Sequence, residues 1–328
     1  MTSVMDRRAF FAVGVGALAG SVVAESARAD RIPRVGILGS GPSPMWEAFR
    51  RGLRERGYVE GRTIVLEYRW HGGDVDRSAA LVAELAQHKI DVIVATSVPV
   101  IRAAQQAAPT IPIVMAASFD AVESGLVATL ARPGGNTTGL SLRSGDLVGK
   151  RLELLRETLR DMPRLAVLLG PPAPADPLLL KALETVAKPM RVRLQLVRYP
   201  GGAAQLEDAF LAMVRERATA VLVSEHPIFA FAERGRLAEL AAKHRLPTMV
   251  SFREFVEAGA LMSYGADLAD LADRAAGYVD RILKGSRPAE LPVEEPIKFQ
   301  FVVNLKTAKA LGLTIPPSVL LRADQVLE

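Results

Sequence analysis

Two stretches decide how this chain is read: RVGILGSGPSP, Arg34–Pro44, and RLAVLLGPPAP, Arg164–Pro174. Each runs from a basic residue through a short apolar segment to a glycine and a proline-broken loop. Such near-continuous apolar runs suit parallel strands buried on both faces. After the first copy, Ser43 is placed to cap a helix whose first position is Pro44. Trp46, Phe49 and Leu53 then recur at helical spacing, which makes a core-facing stripe. The first series continues with strands over Thr63–Trp70, Ile90–Thr96 and Ile111–Ala117, separated by helices, one of which Asp76 can cap. The second copy repeats the order, with strands over Leu165–Gly170, Ala218–Glu225 and Leu246–Ser251 and VRLQLVRY as a further strand. HKIDVIVATSVP (His88–Pro99) aligns with ERATAVLVSEHP (Glu216–Pro227) position by position.

Strand–helix alternation requires right-handed crossovers and a parallel sheet. Two such series in tandem predict an α/β protein of two similar doubly wound parallel-sheet lobes. The Gly/Thr-rich stretch GGNTTGLS, Gly134–Ser141, is the first joint. Beyond the repeat, ALMSYGADLADLADRAAGYVDRILKG reads as a strand and a long helix that packs back on the first lobe, with a crossing at Ser263–Gly265. PIKFQFVVNLKTAKALGL adds a last strand and helix. The expected division is residues 30–139 with 264–297 in lobe one, and 140–263 with 298–328 in lobe two, joined by a three-strand hinge.

Composition agrees with this size. Of 328 residues, 49% are hydrophobic, enough for about two domains. The absence of cysteine excludes disulfides, thiolate metal sites and cysteine nucleophiles. The net charge of +5 is spread along the chain. Its densest stretch, RRGLRERG (Arg50–Gly57), reads as a solvated helix face, so no nucleic-acid partner is expected. Residues 1–29 have the parts of an export signal: Arg7 and Arg8, an apolar run from Ala9 to Val23, and the small-x-small site Ala27-Arg28-Ala29. The paired arginines resemble a twin-arginine signal. Cleavage near Ala29 leaves a periplasmic chain of net charge +4.

In open parallel sheets, ligands bind outside the carboxyl ends of the strands. That rule selects Ser40, Gly41 and Pro42, Thr96 and Ser97, and Ser118, Phe119 and Asp120 in lobe one. In lobe two it selects Gly170-Pro171-Pro172, Glu225-His226-Pro227 and Ser251-Phe252. Hydroxyls and backbone N–H groups at helix starts suit a carboxylate or phosphate. Trp46, Phe119, Phe229 and Tyr264 offer apolar faces. Each has a structural alternative. Trp46 is a pocket wall or a core residue, and Ser40, Thr96, Ser97 and Ser118 contact ligand or merely cap helices. Asp120 meets an ammonium or caps a helix near Val122, and His226 contacts ligand or shapes a turn. Tyr264 lies at a crossing. The four histidines are scattered, with no metal-ligand pair, and no P-loop, dinucleotide glycine pattern or G-x-S-x-G elbow follows a strand. No metal, cofactor or catalytic residue is expected. Glu225-His226 is the one adjacent acid–base pair in a cleft loop, weak support for catalysis.

EAFRRGLRERGYVEGRTIVLEYRW, GLVATLARPGGNTTGLS, GKRLELLRE, FREFVEAGALMSYGADLADL, YVDRILKG and NLKTAKALGLTIPPSVLLRAD resemble the ABC transporter substrate-binding protein family related to TrpX-type tryptophan-binding proteins. The likeness runs from about Arg34 to the end. It implies a type I periplasmic binding protein fold with one interlobe site, here at Ser40–Pro42, Thr96–Ser97, Ser118–Asp120 and Tyr264. In SFDAVESG, Ala121 stands where proline is usual. The family implies a small-molecule ligand, some relatives taking aromatic amino acids, and a partner permease in the inner membrane with a separate ATPase subunit. The expected function is an importer's solute receptor. Rivals are a ligand sensor feeding a signalling receptor and a periplasmic enzyme. The loop after Gly39 is rich in donors and that after Gly170 is stiff, so lobe one is expected to hold the ligand's polar end while lobe two closes over it.

Overall fold

The computed structural model describes residues 31–328 apart from 144, 146, 160, 173–175, 227, 228 and 230–232. The stretch read as an export signal, the tip of the second proline loop and the chain around Phe231 therefore lie outside the described residues. Strands β1 (Arg34–Gly39), β2 (Val65–Trp70), β3 (Val92–Thr96), β4 (Ile113–Phe119) and β5 (Thr137–Leu142) form a parallel sheet in the order β2-β1-β3-β4-β5. Helices α1 (Pro44–Glu55), α2 (Ser78–Gln87) and α3 (Val98–Ala107) connect its first four strands. Side chains alternate across a strand, and the core follows that alternation. Val35, Ile37, Val92 and Val94 join the cluster containing Phe49 and Leu53 of α1. Leu38, Ile93 and Ala95 join Leu85 of α2 and Ile101 of α3 on the other face.

The second lobe repeats this with β6 (Arg164–Leu169), β7 (Arg193–Arg198), β8 (Ala220–Val223) and β9 (Thr248–Val250). Its helices are α4 (Val148–Thr158), α5 (Asp176–Ala187), α6 (Ala203–Arg215), α7 (Arg234–Lys243) and α8 (Arg253–Glu257). The likeness reaches single residues. The helices before β3 and β8 are capped by His88 and Glu216, and the next residues, Lys89 and Arg217, turn left-handed at φ 53° and 62°. Strands β10 (Met262–Ala266), β11 (Phe299–Asn304) and β12 (Gln325–Leu327) extend the sheet to β12-β11-β10-β9-β8-β6-β7. Contrary to the parallel sheet read from the sequence, β11 pairs antiparallel with β10. It returns from the first lobe and enters the sheet from the hinge side.

Helix α9 (Leu268–Leu283) leaves β10 and packs on α1, covering the first lobe's open face. Gly52 of α1 lies so close that a Cβ there would come within 3.0 Å of Ala276 Cβ. Arg56 donates to the Gly52 carbonyl at 2.7 Å and to Asp273 at 3.2 Å, and Tyr58 donates to Asp280 at 3.0 Å. The chain passes between lobes after β5, after β10 and before β11. Two passages lie side by side: Glu294 N–H donates to the Gly139 carbonyl, and Ser141 N–H donates to that of Glu294, both at 2.9 Å. Helices α10 (Leu305–Leu311) and α11 (Pro317–Leu320) close the second core.

Two expected caps differ. Asp76 does not cap α2; Asp74 instead accepts from Asp76 N–H and caps the 3-10 turn Val75–Arg77 ahead of it. No helix begins near Val122. One turn forms there, with Leu126 N–H on the Ala121 carbonyl, and Gly125 ends it at φ 68°.

Candidate functional site

The carboxyl ends of both sheets face one cavity of about 30 Å³. Lobe one contributes Met45, Thr96, Ser97, Ala117, Phe119 and Leu142. Lobe two contributes Ser224, Glu225, His226, Ser251, Phe252 and Phe255. The Phe119 and Phe252 rings meet from opposite lobes, 6.3 Å apart and inclined at 41°. Met45 and Leu268 also border a wider groove at the mouth, lined by Arg51 and Glu47 on one side and Arg253 and Glu257 on the other.

The backbone at the lobe-one wall is strained. The β3–β4 register shifts between Ala95 and Thr96, and Ser97 then adopts φ 67°, ψ 146°. Non-glycine residues in such regions cost about 1–3 kcal/mol and cluster at functional sites. Neighbours hold it: Ser97 N–H donates to the Ala117 carbonyl at 3.0 Å, and the Ser97 carbonyl accepts from Ile101 at 3.1 Å as α3 starts. Asp120, at φ 47°, is pinned likewise by its N–H to the Leu142 carbonyl at 2.8 Å.

Lobe two supplies a buried ion pair. Arg151 of α4 and Glu225 expose only 2% and 7% of their side chains. One guanidinium nitrogen donates to Glu225 Oε1, and Arg151 Nε donates to the Tyr264 carbonyl at 2.6 Å. Glu225 Oε2 is buried with no hydrogen-bond partner among the described residues, and Ser251 Oγ lies beside the carboxylate without hydrogen-bond geometry. Burial pushes the Glu225 carboxyl above its ordinary range, and the Arg151 charge opposes that rise. Glu225 also borders a second cavity of about 70 Å³, walled by Leu142 and Arg143, Ala266, and Glu295 and Pro296. His226 packs its ring on Gly170, where no Cβ would fit, and edge-on to Phe229 at 6.3 Å. Burial lowers its pKa to about 4, so the imidazole is neutral at pH 7.

Of the residues singled out in the sequence, Thr96, Ser97 and Phe119 of lobe one and Glu225, His226, Ser251 and Phe252 of lobe two come together at the cavity. Ser40 and Gly41 are half-buried and Pro42 exposed, in the loop before α1 and off the cavity wall. Trp46 is 4% exposed, between Phe49 and Trp70, and Gly39 makes room for its ring. Ser118 is fully buried with its hydroxyl unpartnered, while Ala117 and Phe119 on either side of it line the cavity. Asp120 is buried in the pinned turn, close enough for its charge to raise the Glu225 carboxyl. Tyr264 stacks on Phe299, 6.3 Å away, against the second core. Sequence reasoning did not select Met45 or Phe255, and it named Glu225 as part of a strand-end loop without giving it a ligand role. The alignment of Ser97 with Glu225 is the signal that points to the last.

Two doubly wound lobes, three connections and one cavity at facing strand ends define a type I periplasmic binding protein. The chain belongs to the ABC transporter substrate binding protein family, whose model matches residues 39–327. It is 25% identical over 273 residues to the tyrosine-binding protein of Clostridioides difficile, spanning 81% of this chain and 76% of that one. A conserved domain protein from Vibrio cholerae superposes with a TM-score of 0.82 at 28% identity, covering 90% of this chain and all of that one. A Streptococcus pneumonia ABC domain in complex with L-Trp gives 0.83 at 24% identity, with the same coverage. Among the described residues no helix is long and apolar enough to cross a membrane.

Proposed function

We propose that this chain is the periplasmic solute receptor of an ABC importer, closing two lobes on a small carboxylate-bearing ligand with an aromatic or similarly apolar body. It performs no chemistry on that ligand. The observation that carries this reading is the shared cavity, to which the two lobes bring Phe119 and Phe252 in tilted contact. Ser97 precedes α3, where the first-turn N–H groups of Val98 and Val100 and the helix dipole favour an anion, and Thr96 and Ser97 add their hydroxyls. The ligand's carboxylate belongs there, with Phe119, Phe252 and His226 around its body. The names of relatives, one for tyrosine and one solved with L-Trp, support an aromatic amino acid.

Sites for small molecules occupy roughly 300–1,000 Å³, at least about tenfold more than this cavity. Entry therefore needs the lobes to part, and the three connections form the hinge. The closed face would dock on an inner-membrane permease whose ATPase is a separate subunit. Isothermal titration of the purified protein with L-tyrosine and L-tryptophan, beside a panel of other amino acids and aromatic acids, tests the reading. Saturable binding with compaction in X-ray scattering is expected. Binding with no change in scattering overturns hinge closure, and no binding across the panel overturns the ligand class.

A further inference from the structure

We propose that Glu225 recognises the positively charged end of the ligand, so that the protein selects solutes carrying an ammonium group. The inference rests on the interlobe cavity being the ligand site and names the chemistry its lobe-two wall accepts.

Three observations converge. The internal repeat aligns Thr96 with Ser224 and Ser97 with Glu225, and all four line the cavity. The duplicated position thus carries opposite chemistries: a hydroxyl at the start of a helix in lobe one, a carboxylate in lobe two. A zwitterion laid across the cavity meets both.

The carboxylate is also half satisfied. Arg151 serves Oε1 with one nitrogen and commits its Nε to the Tyr264 carbonyl, while Oε2 is buried with no donor. A buried acceptor left unpaired is costly. Of the groups around it, Ser251 does not reach hydrogen-bond geometry. A ligand ammonium supplies the missing N–H donors to a buried carboxylate as charge-assisted hydrogen bonds.

Glu225 finally stands between the ligand cavity and the second cavity, whose walls include all three lobe connections. A cation on Oε2 is enclosed by lobe-one residues only when the lobes are together. It therefore binds the closed form better, which is what ligand-driven closure needs.

The test is isothermal titration of wild type, Glu225→Gln and Glu225→Asp with two matched sets. One is L-tryptophan, tryptamine and indole-3-propionate; the other is L-leucine and 4-methylpentanoate. In at least one set the amino acid should bind about 100-fold or more tighter than its counterpart lacking the amine. Glu225→Gln should weaken the amino acid by about 10–100-fold and leave the amine-free acid nearly unchanged. Glu225→Asp should retain part of the preference and serves if the Gln variant does not fold. Equal binding of amine-free acids, or an undiminished preference in the folded variants, overturns the inference while leaving the receptor reading intact. Binding confined to the leucine set, lost in Glu225→Gln, upholds it and removes the aromatic reading instead. Failure of every probe removes both.

Discussion

Replacing Arg151 with methionine keeps most of the side-chain length within α4 and deletes the guanidinium that joins Glu225 to the Tyr264 carbonyl. The pair is almost fully enclosed, so Glu225 would be left without its counter-charge and with neither oxygen satisfied. Removing one partner of a buried ion pair costs about 3–5 kcal/mol. At roughly 2–4 °C per kcal/mol, melting should fall by about 6–20 °C. Glu225→Gln keeps an acceptor for Arg151 and should cost about 1–3 kcal/mol. The double change Arg151→Met with Glu225→Leu removes both charges and leaves only the Tyr264 carbonyl unserved, a loss of about 1–2 kcal/mol. The double variant should thus be more stable than Arg151→Met alone. Urea unfolding followed by far-ultraviolet circular dichroism reads both lobes, whereas Trp46 and Trp70, the chain's two tryptophans, lie in tilted contact in lobe one and report only on it. Costs that simply add, leaving the double variant no better than Arg151→Met, would refute the electrostatic argument and reduce Arg151 to a packing residue.

Gly265→Ala puts a Cβ onto the Ser251 carbonyl and should destabilise by about 1–3 kcal/mol while displacing Ser251 from the cavity; Gly41→Ala, with nothing within 4 Å, should be neutral to thermal melting. His226 titrates near 4 in the fold against 6.5 unfolded. Above pH 6.5 it therefore adds no pH dependence, and from 6.5 down to 4 the unfolded chain takes the proton first. Stability should fall across that window by up to about 3 kcal/mol, and His226→Gln should flatten that part of the urea-midpoint profile. Ser97→Gly relieves a left-handed serine and should raise stability by about 1 kcal/mol, whereas Ser97→Ala should not; a destabilised glycine variant would mean the conformation carries no strain.

The doubled phrase at Arg34 and Arg164 made the two sheets legible because buried parallel strands leave local apolar runs. The direction of β11 was not legible, since it depends on a passage between lobes rather than on its own pattern. At Trp46 two signals competed, helical spacing with Phe49 and Leu53 and closeness to a strand exit, and the spacing gave its position. Ser118 was chosen as a strand-end hydroxyl, but alternation along β4 sets it apart from its cavity-lining neighbours Ala117 and Phe119. Arg151 sits in GKRLELLRE, which looks like a solvated helix. Its burial comes from partners 74 and 113 residues away, a distance no local pattern encodes. Glu225 was visible as a strand-end residue and, beside His226, as an acid–base pair. Its pairing with Ser97 across the repeat, and the cavity they share, give it a different meaning.

Helix α9 has a consequence for how the protein is made. Arg56 and Asp273, which clasp α1 to α9, are 217 residues apart. At synthesis rates of about 5–20 residues per second, α1 waits roughly 10–40 s for the helix that shields it. During that interval Phe49 and Leu53 have a sheet on one side and no lid on the other. The first lobe to be translated is thus among the last parts to become a finished unit. A nascent chain stopped before Leu268 should be held by chaperones or cut by proteases, while the complete chain passes both.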